Sequence, residues 1–338
     1  MDTKVSSAAQ KSQAVSVGHS GVLDLIGNTP LVDLRHVGKE LGHNIFVKLE
    51  YLNPSGSIKD RMALYIVEDA ERTGIIKAGD LLIDNSSGNT AVSVAMVGTC
   101  KGYRTLFAVP DKTSQEKIDL IRAFGSEVVI CPTDVSHDHP NSYYQTARRL
   151  AKERPGFLVD QYHNPKNIEC HFKTTGPEIW EQMGGQIDAV VAGIGTGGTL
   201  SGVARYLKMR DPRIRVIAVD PIGSIFYNLI KFNELIKPGR YHVEGIGTDV
   251  PCGAMDASVI DEVIQTDDRE AFAIARELVR REGLIVGGSS GSAVAGLLKW
   301  AKGQSRPLNI VTLLTDTGMR YLSKFLSDDW MRNTGFGL

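Results

Sequence analysis

One lysine in this sequence lies where it could do covalent chemistry. In the stretch NPSGSIKDR (53–61), Lys59 lies at the end of a loop of small residues, and apolar residues recur at helical spacing from 62 to 70. An amine that is accessible and close to helix-terminal amides suits chemistry on a carbonyl group. A lysine at the start of a helix is more commonly a solvated surface residue, so this stretch alone leaves both interpretations open.

Three turns rich in glycine and serine each follow an apolar run. They are SSGNT (86–90), GIGTGGT (193–199) and GGSSGS (287–292), which follow the runs 81–83, 189–192 and 284–286. Each run predicts a buried strand, and each turn then opens a helical pattern. Ligands bind at the carboxyl ends of the strands in open α/β sheets, so the turns are candidate ligand-binding loops.

The rest of the chain alternates between short runs typical of strands and helical patterns. This alternation predicts parallel sheets covered by helices on both faces. Strands are predicted at 105–109, 128–130, 157–159, 216–219 and 308–314, and helices at 115–124, 143–152, 177–183 and 267–282.

Charge and composition argue against several kinds of partner. Lys and Arg number 38 against 39 Asp and Glu, a net charge of −1 with no basic block, so no nucleic-acid partner is expected. No apolar run approaches the roughly 20 residues that span a bilayer, so no membrane partner is expected. The four cysteines lack CxxC or zinc spacing, and the eight histidines form no set with carboxylates. We therefore expect reduced thiols, no bound metal and a cytoplasmic location.

Lys59 and the three turns together resemble the cysteine synthase and cystathionine β-synthase family, which are fold-type II enzymes dependent on pyridoxal phosphate (PLP). The resemblance spans roughly residues 22–330. It implies an α/β fold of two three-layer αβα domains with mostly parallel sheets, as in the tryptophan synthase β subunit.

The predicted domains follow from this resemblance and from the length of 338 residues. Residues 1–20 are polar, lack a signal-peptide core and are predicted to be a disordered extension. An N-terminal α/β domain is predicted at 40–163, with Lys59 and the SSGNT loop. The C-terminal α/β domain is predicted at 164–330, and residues 21–39 are expected to cross over to it.

Lys59 matches the lysine of the family's SxKDR motif, which forms the Schiff base with the cofactor and then moves protons. Both tasks need a neutral amine, so we expect its pKa to be lowered by burial or by nearby positive charge.

GIGTGGT is the candidate phosphate loop, because its glycines let successive N–H groups converge on an anion at a helix start. We assign to the phosphate Gly195, Thr196, Gly197, Gly198 and Thr199. The alternatives are a tight strand-to-helix turn or a dinucleotide fingerprint. A dinucleotide fingerprint needs a suitably placed acidic residue about 20 residues further on. That position falls here in the turn 211–213, so no suitably placed acidic residue follows and the fingerprint is disfavoured.

Ser289 in GGSSGS matches the family's ligand to the pyridine nitrogen. A neutral hydroxyl leaves that nitrogen largely unprotonated, which favours loss of a β-substituent over reprotonation. The alternative is that Ser289 only caps the following helix. Asp316, after the run 310–314, matches the region behind the pyridine ring, without an assigned direct role.

SSGNT is the candidate substrate loop. The resemblance implies that Asn89 bonds the cofactor's ring oxygen and that the substrate α-carboxylate is bound by Ser86, Ser87, Gly88 and Thr90. The family sequence is usually TSGNT preceded by Glu-Pro, whereas here Asp84-Asn85 precede Ser86, which leaves substrate preference open.

Two further loops are expected to reach the substrate. Gln161 matches a glutamine that also contacts the carboxylate, with a polar turn residue as the alternative. Gly245 belongs to EGIG (244–247), which matches a loop that closes over the substrate and excludes water; the alternative is a plain β-turn.

The resemblance implies β-replacement through an aminoacrylate, on serine or an activated serine such as O-acetylserine or O-phosphoserine. The stretches DPIGSIF (220–226), YHVEGIG (241–247) and KFLSDDWM (324–331) favour the cystathionine β-synthase branch. The haem-binding amino-terminal extension of some members is missing, and so is their CPGC pair, which residues 210–213 replace; we therefore expect no haem. We also expect a homodimer without a regulatory module. The alternatives are an amine nucleophile, serine/threonine dehydration, or a non-catalytic binding partner.

Overall fold

The computed structural model describes residues 21–154 and 156–337. The strands are β1 (Leu31–Asp33), β2 (Asn44–Lys48), β3 (Leu81–Asp84), β4 (Arg104–Pro110), β5 (Glu127–Cys131), β6 (Gly156–Leu158), β7 (Ala189–Gly193), β8 (Arg215–Pro221), β9 (Glu262–Thr266) and β10 (Asn309–Leu313). The α-helices are α1 (Lys59–Arg72), α2 (Asn89–Lys101), α3 (Gln115–Ala123), α4 (Tyr143–Glu153), α5 (Lys166–Lys173), α6 (Thr175–Gln182), α7 (Gly198–Arg210), α8 (Phe226–Phe232), α9 (Asp268–Glu277), α10 (Gly288–Ala301) and α11 (Asp328–Asn333).

The strands form two sheets. The larger sheet has six strands in the order β1-β2-β10-β7-β8-β9, and the smaller has four in the order β5-β4-β3-β6. Only the β1–β2 pair is antiparallel among the strand pairs of the described residues. The predicted α/β class with mostly parallel sheets is confirmed.

The larger sheet is covered on both faces because its strands are apolar on both faces. Val191 and Ile217 pack into the cluster that includes residues of α10, whereas Val190 and Val216 pack into the cluster that includes residues of α7. Successive side chains of a strand point to opposite faces, so these buried strands read as continuous apolar runs.

One strand that the sequence analysis did not predict belongs to the larger sheet. β2 pairs in parallel with β10 in the larger sheet, although its residues fall within the range 40–163 that was predicted to form the N-terminal α/β domain. The antiparallel β1–β2 pair extends the larger sheet at its edge, so the chain leaves that sheet after Lys48 rather than at residue 40. The other domain limits stay predictions, and the one for residues 1–20 lies outside the described residues.

The strand predicted at 284–286 was wrong. A π-helical turn at Leu278–Glu282 follows α9, and only an isolated bridge from Val286 to Thr317 forms before α10 begins. Of the three apolar residues only Val286 is buried. A short apolar run cannot by itself distinguish a strand from another partly buried segment.

The fold brings the predicted loops to one side of the sheets. SSGNT joins β3 to α2, and GIGTGGT joins β7 to α7, each at the carboxyl end of a parallel strand. GGSSGS begins α10, which packs against β7 and β8 of the same sheet. Among the described residues, none of the helices combines the length and the apolar character that a membrane crossing requires.

Candidate active site

A cleft of about 240 Å³ is lined by loops that follow strands of both sheets. It is lined by every predicted substrate residue, namely Ser86, Ser87, Gly88, Thr90, Gln161 and Gly245. Its inner extension is lined by nearly all the predicted cofactor residues, namely Lys59, Asn89, Gly195, Thr196, Gly197, Thr199 and Ser289. Gly198 does not line it; this residue begins α7 and packs against Asn167. The cleft is therefore the candidate active site.

Lys59 is the first residue of α1 and is half-buried at the wall of the cleft. Within 21–154 and 156–337, no side chain or carbonyl forms a hydrogen bond or ion pair with its amine. Burial lowers the pKa of Lys59, and the negative charge of Asp316 opposes this only in part. A lowered pKa increases the neutral fraction of the amine near neutral pH, which is the form that reacts with a carbonyl group.

The phosphate loop presents unpaired donors. The backbone N–H groups of Gly195, Thr196 and Gly197 donate to no residue of the described chain. Gly197 has φ +87°, and a Cβ there would lie 2.5 Å from the Cβ of Met255. A Cβ on Gly195 would lie 2.7 Å from the carbonyl oxygen of Gly245. Free N–H groups at the start of α7 fit an anionic phosphate group.

Helix α5 supports this loop from behind. The Nδ2 of Asn167 donates to the Oγ1 of Thr196 at 3.1 Å, and the Oγ1 of Thr199 lies 3.2 Å from the Nε2 of His171. Burial lowers the pKa of His171 well below its usual range, and the positive charges of Arg61 and Lys59 add to the effect. His171 is therefore neutral, and it orients a threonine hydroxyl without adding charge. Sequence analysis missed both residues because it did not predict α5.

Ser289 lies in the first turn of α10 and is 4% exposed. Its Oγ is 3.0 Å from the Oγ1 of Thr315, while the Oγ of Ser290 accepts from the N–H of Thr315 at 3.0 Å. The N-cap of α10 is Gly287, and no side chain caps it. Ser289 is thus not the cap of its helix, and its hydroxyl faces the inner cleft.

The SSGNT loop offers a second set of donors. The Oγ1 of Thr90 donates to the Oε1 of Gln161 at 2.7 Å, which joins the two predicted substrate loops. In the described part of the chain, the N–H groups of Ser87 and Gly88 have no acceptor. They lie at the start of α2, where a carboxylate is favoured by the helix dipole.

A polar network that includes Asn89, Arg320 and Tyr321 lines the outer part of the cleft. The Nδ2 of Asn89 and the hydroxyl of Tyr321 both donate to the Oδ2 of Asp316, at 2.9 and 2.8 Å. Arg320 donates to the Oδ1 of Asn89 and to the carbonyl oxygen of Ser55. Burial raises the pKa of Asp316, although the hydrogen bonds from Asn89 and Tyr321 oppose the shift. Sequence analysis missed Arg320 and Tyr321.

An ion-pair cluster borders the cleft, which Lys117 and Glu244 help to line. Glu244, in the EGIG loop, pairs with Lys117 of α3 and with Lys324. Burial acts to raise the pKa of Glu244, but the two lysines outweigh it and the pKa lies below its usual value. The cluster connects the helix that covers the smaller sheet with the loop beside the phosphate-binding turn.

The fold and the cleft define the class of protein. The family described as "Pyridoxal-phosphate dependent enzyme" matches residues 22–316. The chain belongs to this family, in its fold-type II branch, and its cofactor is PLP. The predicted family resemblance is confirmed.

The chain is similar to several known members. It is 43% identical over 318 residues to cystathionine beta-synthase of Oryctolagus cuniculus, covering 93% of this chain and 58% of that protein. It is 42% identical over 316 residues to cystathionine beta-synthase of Dictyostelium discoideum, covering 93% and 63%. It therefore spans about three-fifths of the length of these relatives. The crystal structure of O-ureido-L-serine synthase superposes with a TM-score of 0.85 at 35% identity, covering 93% of this chain and 99% of that one.

The residues of the cleft fit PLP. The unpaired N–H groups at 195–197 suit its phosphate, and the unpaired amine of Lys59 suits its aldehyde. The hydroxyl of Ser289 can face a ring nitrogen from the inner cleft.

Proposed function

We propose that the chain catalyses PLP-dependent β-replacement on serine or an activated serine, forming cystathionine or a cysteine-type amino acid. One observation carries the proposal. Lys59 lines the inner cleft with the phosphate loop and the outer cleft with the SSGNT loop, so a single amine faces both groups of donors.

Each group has a defined task in this proposal. When bound, PLP supplies an aldehyde for the amine and a ring that withdraws electrons from the substrate α-carbon. Lys59 holds the cofactor, removes the proton from the α-carbon and later returns it. The lowered pKa of Lys59 supports both tasks, because the amine must be neutral to accept that proton.

The other loops hold the substrate and exclude water. The N–H groups of Ser87 and Gly88, with Thr90 and Gln161, bind the α-carboxylate and orient the α-proton toward Lys59. The neutral hydroxyl of Ser289, which lines the inner cleft, would face the ring nitrogen of bound PLP and would leave it largely unprotonated, which would favour loss of the β-substituent. The EGIG loop, which includes Gly245, covers the cleft during reaction.

The names of the curated relatives favour cystathionine as the product. A second candidate is a nucleophile other than a thiol, giving a non-proteinogenic amino acid. It is favoured by the solved relative named O-ureido-L-serine synthase, which the chain covers almost completely. We further propose a cytoplasmic homodimer. A reducing compartment is supported by the four free cysteines, Cys100, Cys131, Cys170 and Cys252. The homodimer is supported by the family resemblance.

A screen of donors against acceptors tests the function. Serine, O-acetylserine and O-phosphoserine are each incubated with homocysteine, sulfide or hydroxyurea, and the products are identified by mass spectrometry. We expect β-replacement with the wild type and with Lys77→Ala, an exposed lysine, but none with Lys59→Ala. Pyruvate formed from serine without an acceptor would instead indicate a dehydratase. Absence of any product with all pairs would contradict the proposal.

A further inference from the structure

The side-chain amide of Asn89 is held at both ends. Arg320 donates to its Oδ1, and its Nδ2 donates to the Oδ2 of Asp316 at 2.9 Å. Arg320 cannot accept a hydrogen bond, and a carboxylate of Asp316 cannot donate one. Rotation of the amide by half a turn would place its NH₂ against the guanidinium and its oxygen against the carboxylate. The two partners therefore fix one orientation of Asn89.

This orientation leaves one donor of Asn89 unused. An amide nitrogen carries two hydrogens, and Asp316 accepts one of them. Across the described residues, the second has no other acceptor. Asn89 lines both the inner and the outer part of the cleft. The remaining N–H is therefore available to a ligand bound there.

The planar shape of the Arg320 guanidinium lets it hold two hydrogen-bond acceptors at once. Its second nitrogen donates to the carbonyl oxygen of Ser55, in the loop that leads to Lys59. No carboxylate in the described ranges forms an ion pair with Arg320. Its planar fork thus binds two neutral oxygens on separate loops, which a lysine cannot do with one nitrogen. Ser55 in turn bonds Asp60, beside Lys59.

We propose that Arg320 is a positioning residue that sets the amide of Asn89 and the loop of Lys59, so that the remaining Asn89 N–H bonds the oxygen on the cofactor ring. The proposal rests on the proposed function, because it needs PLP bound through Lys59. Arg320 acts through Asn89 and does not contact the reacting atoms.

A double-mutant cycle on the holoenzyme tests this role. The variants are Arg320→Met, Asn89→Ala and the double variant, and the readout is the ratio of visible to near-ultraviolet absorbance of the bound cofactor. A hydrogen bond to the ring oxygen changes this ratio independently of turnover. We expect each single variant to change it about threefold or more, as for partners in one network. The double variant should match Asn89→Ala alone. Additive effects would overturn the proposal.

Three further variants test whether Arg320 acts through its two-point contact and not through its positive charge alone. Arg320→Lys keeps the charge but not the two-point contact, so it should resemble Arg320→Met; a wild-type ratio would overturn the proposal. Arg332→Met removes a surface arginine paired with Asp329 and should leave the ratio unchanged. Should Arg320→Met fail to fold, Arg320→Gln takes its place in the cycle.

The failure of this inference differs from the failure of the proposed function. A wild-type protein that binds no PLP would refute the proposed function. A wild type with a normal visible band, combined with an unchanged ratio in Arg320→Met, would refute only the role of Arg320. A raised KM for the donor in Arg320→Met, with an unchanged ratio, would make Arg320 a substrate contact and would likewise refute it.

Discussion

Replacing Asp84 with asparagine should make the protein more stable, and increasingly so as the pH rises. Asp84 ends β3 just before the substrate loop and is fully buried, and neither of its carboxylate oxygens has a well-aligned hydrogen-bond partner within the described chain. The backbone N–H groups of Asn85 and Asp160 lie near the carboxylate and stabilise its charged form only in part. Burial, helped by the charge of Asp160, raises the pKa of Asp84 to about 7 from 3.8. The folded state therefore holds the proton of Asp84 more tightly than the unfolded state does.

The sign and the size of the change in unfolding free energy follow from this pKa shift. Because the pKa of Asp84 is raised on folding, its protonated form stabilises the protein below about pH 4, and that stability is lost as the pH rises through 7. A shift of about 3 units corresponds to roughly 4 kcal/mol when the loss is complete. Between pH 5.5 and 8.5 the loss grows by about 2 kcal/mol, whereas asparagine is neutral throughout.

Urea unfolding of the holoenzyme at pH 5.5 and pH 8.5 measures the effect. The free energy of unfolding of Asp84→Asn minus that of the wild type should increase by about 2 kcal/mol across this interval. Asp134→Asn, at an exposed loop position, is the matched control and should show no such increase. A difference for Asp84→Asn that is flat or that shrinks as the pH rises would refute the reasoning.

Three other predictions concern the cofactor. Gly197→Ala should raise the Kd for PLP about tenfold or more, because Gly197 has a left-handed backbone and Met255 lies close to it. Gly184→Ala is the control: Gly184 also has a positive φ but lies in open space, so the Kd should not rise. Ser289→Asp should retain PLP, measured by its absorbance, yet slow β-replacement by about tenfold or more, about 1.4 kcal/mol in the barrier; undiminished turnover would contradict the neutral-hydroxyl argument. The purified protein should show no haem Soret band, and a stoichiometric Soret band would contradict the expectation that it binds no haem.

Local patterns predicted much of the fold. The helices α2, α7 and α10 begin at glycine- and serine-rich turns, and their starts were visible because small residues punctuate the apolar periodicity. The strands β3, β4, β7, β8 and β10 were visible as apolar runs, since they are buried on both faces. The strands β1 and β2 and the helices α5, α8 and α11 were not predicted. Their burial is decided by partners distant in the chain, as when β2 pairs with β10.

The residues of the candidate site likewise fall into two groups: those that local motifs predicted, and those that are brought together only by the folded chain. The loops with unpaired N–H groups are local motifs, so their residues could be named from the sequence. The Asn89–Asp316 contact joins residues 227 positions apart. The ion pair between Lys117 and Glu244 joins helix α3 to the EGIG loop. Only the folded chain shows such contacts, because their specificity lies in tertiary packing and not in local spacing.

The central claim is a covalent link between Lys59 and PLP, and borohydride reduction tests it most directly. The purified holoenzyme is reduced and digested, and the modified peptide is identified by mass spectrometry. The account predicts that the phosphopyridoxyl group lies on Lys59 and that Lys59→Ala takes up none. A label on another lysine, or a wild-type protein that takes up no PLP, would contradict it.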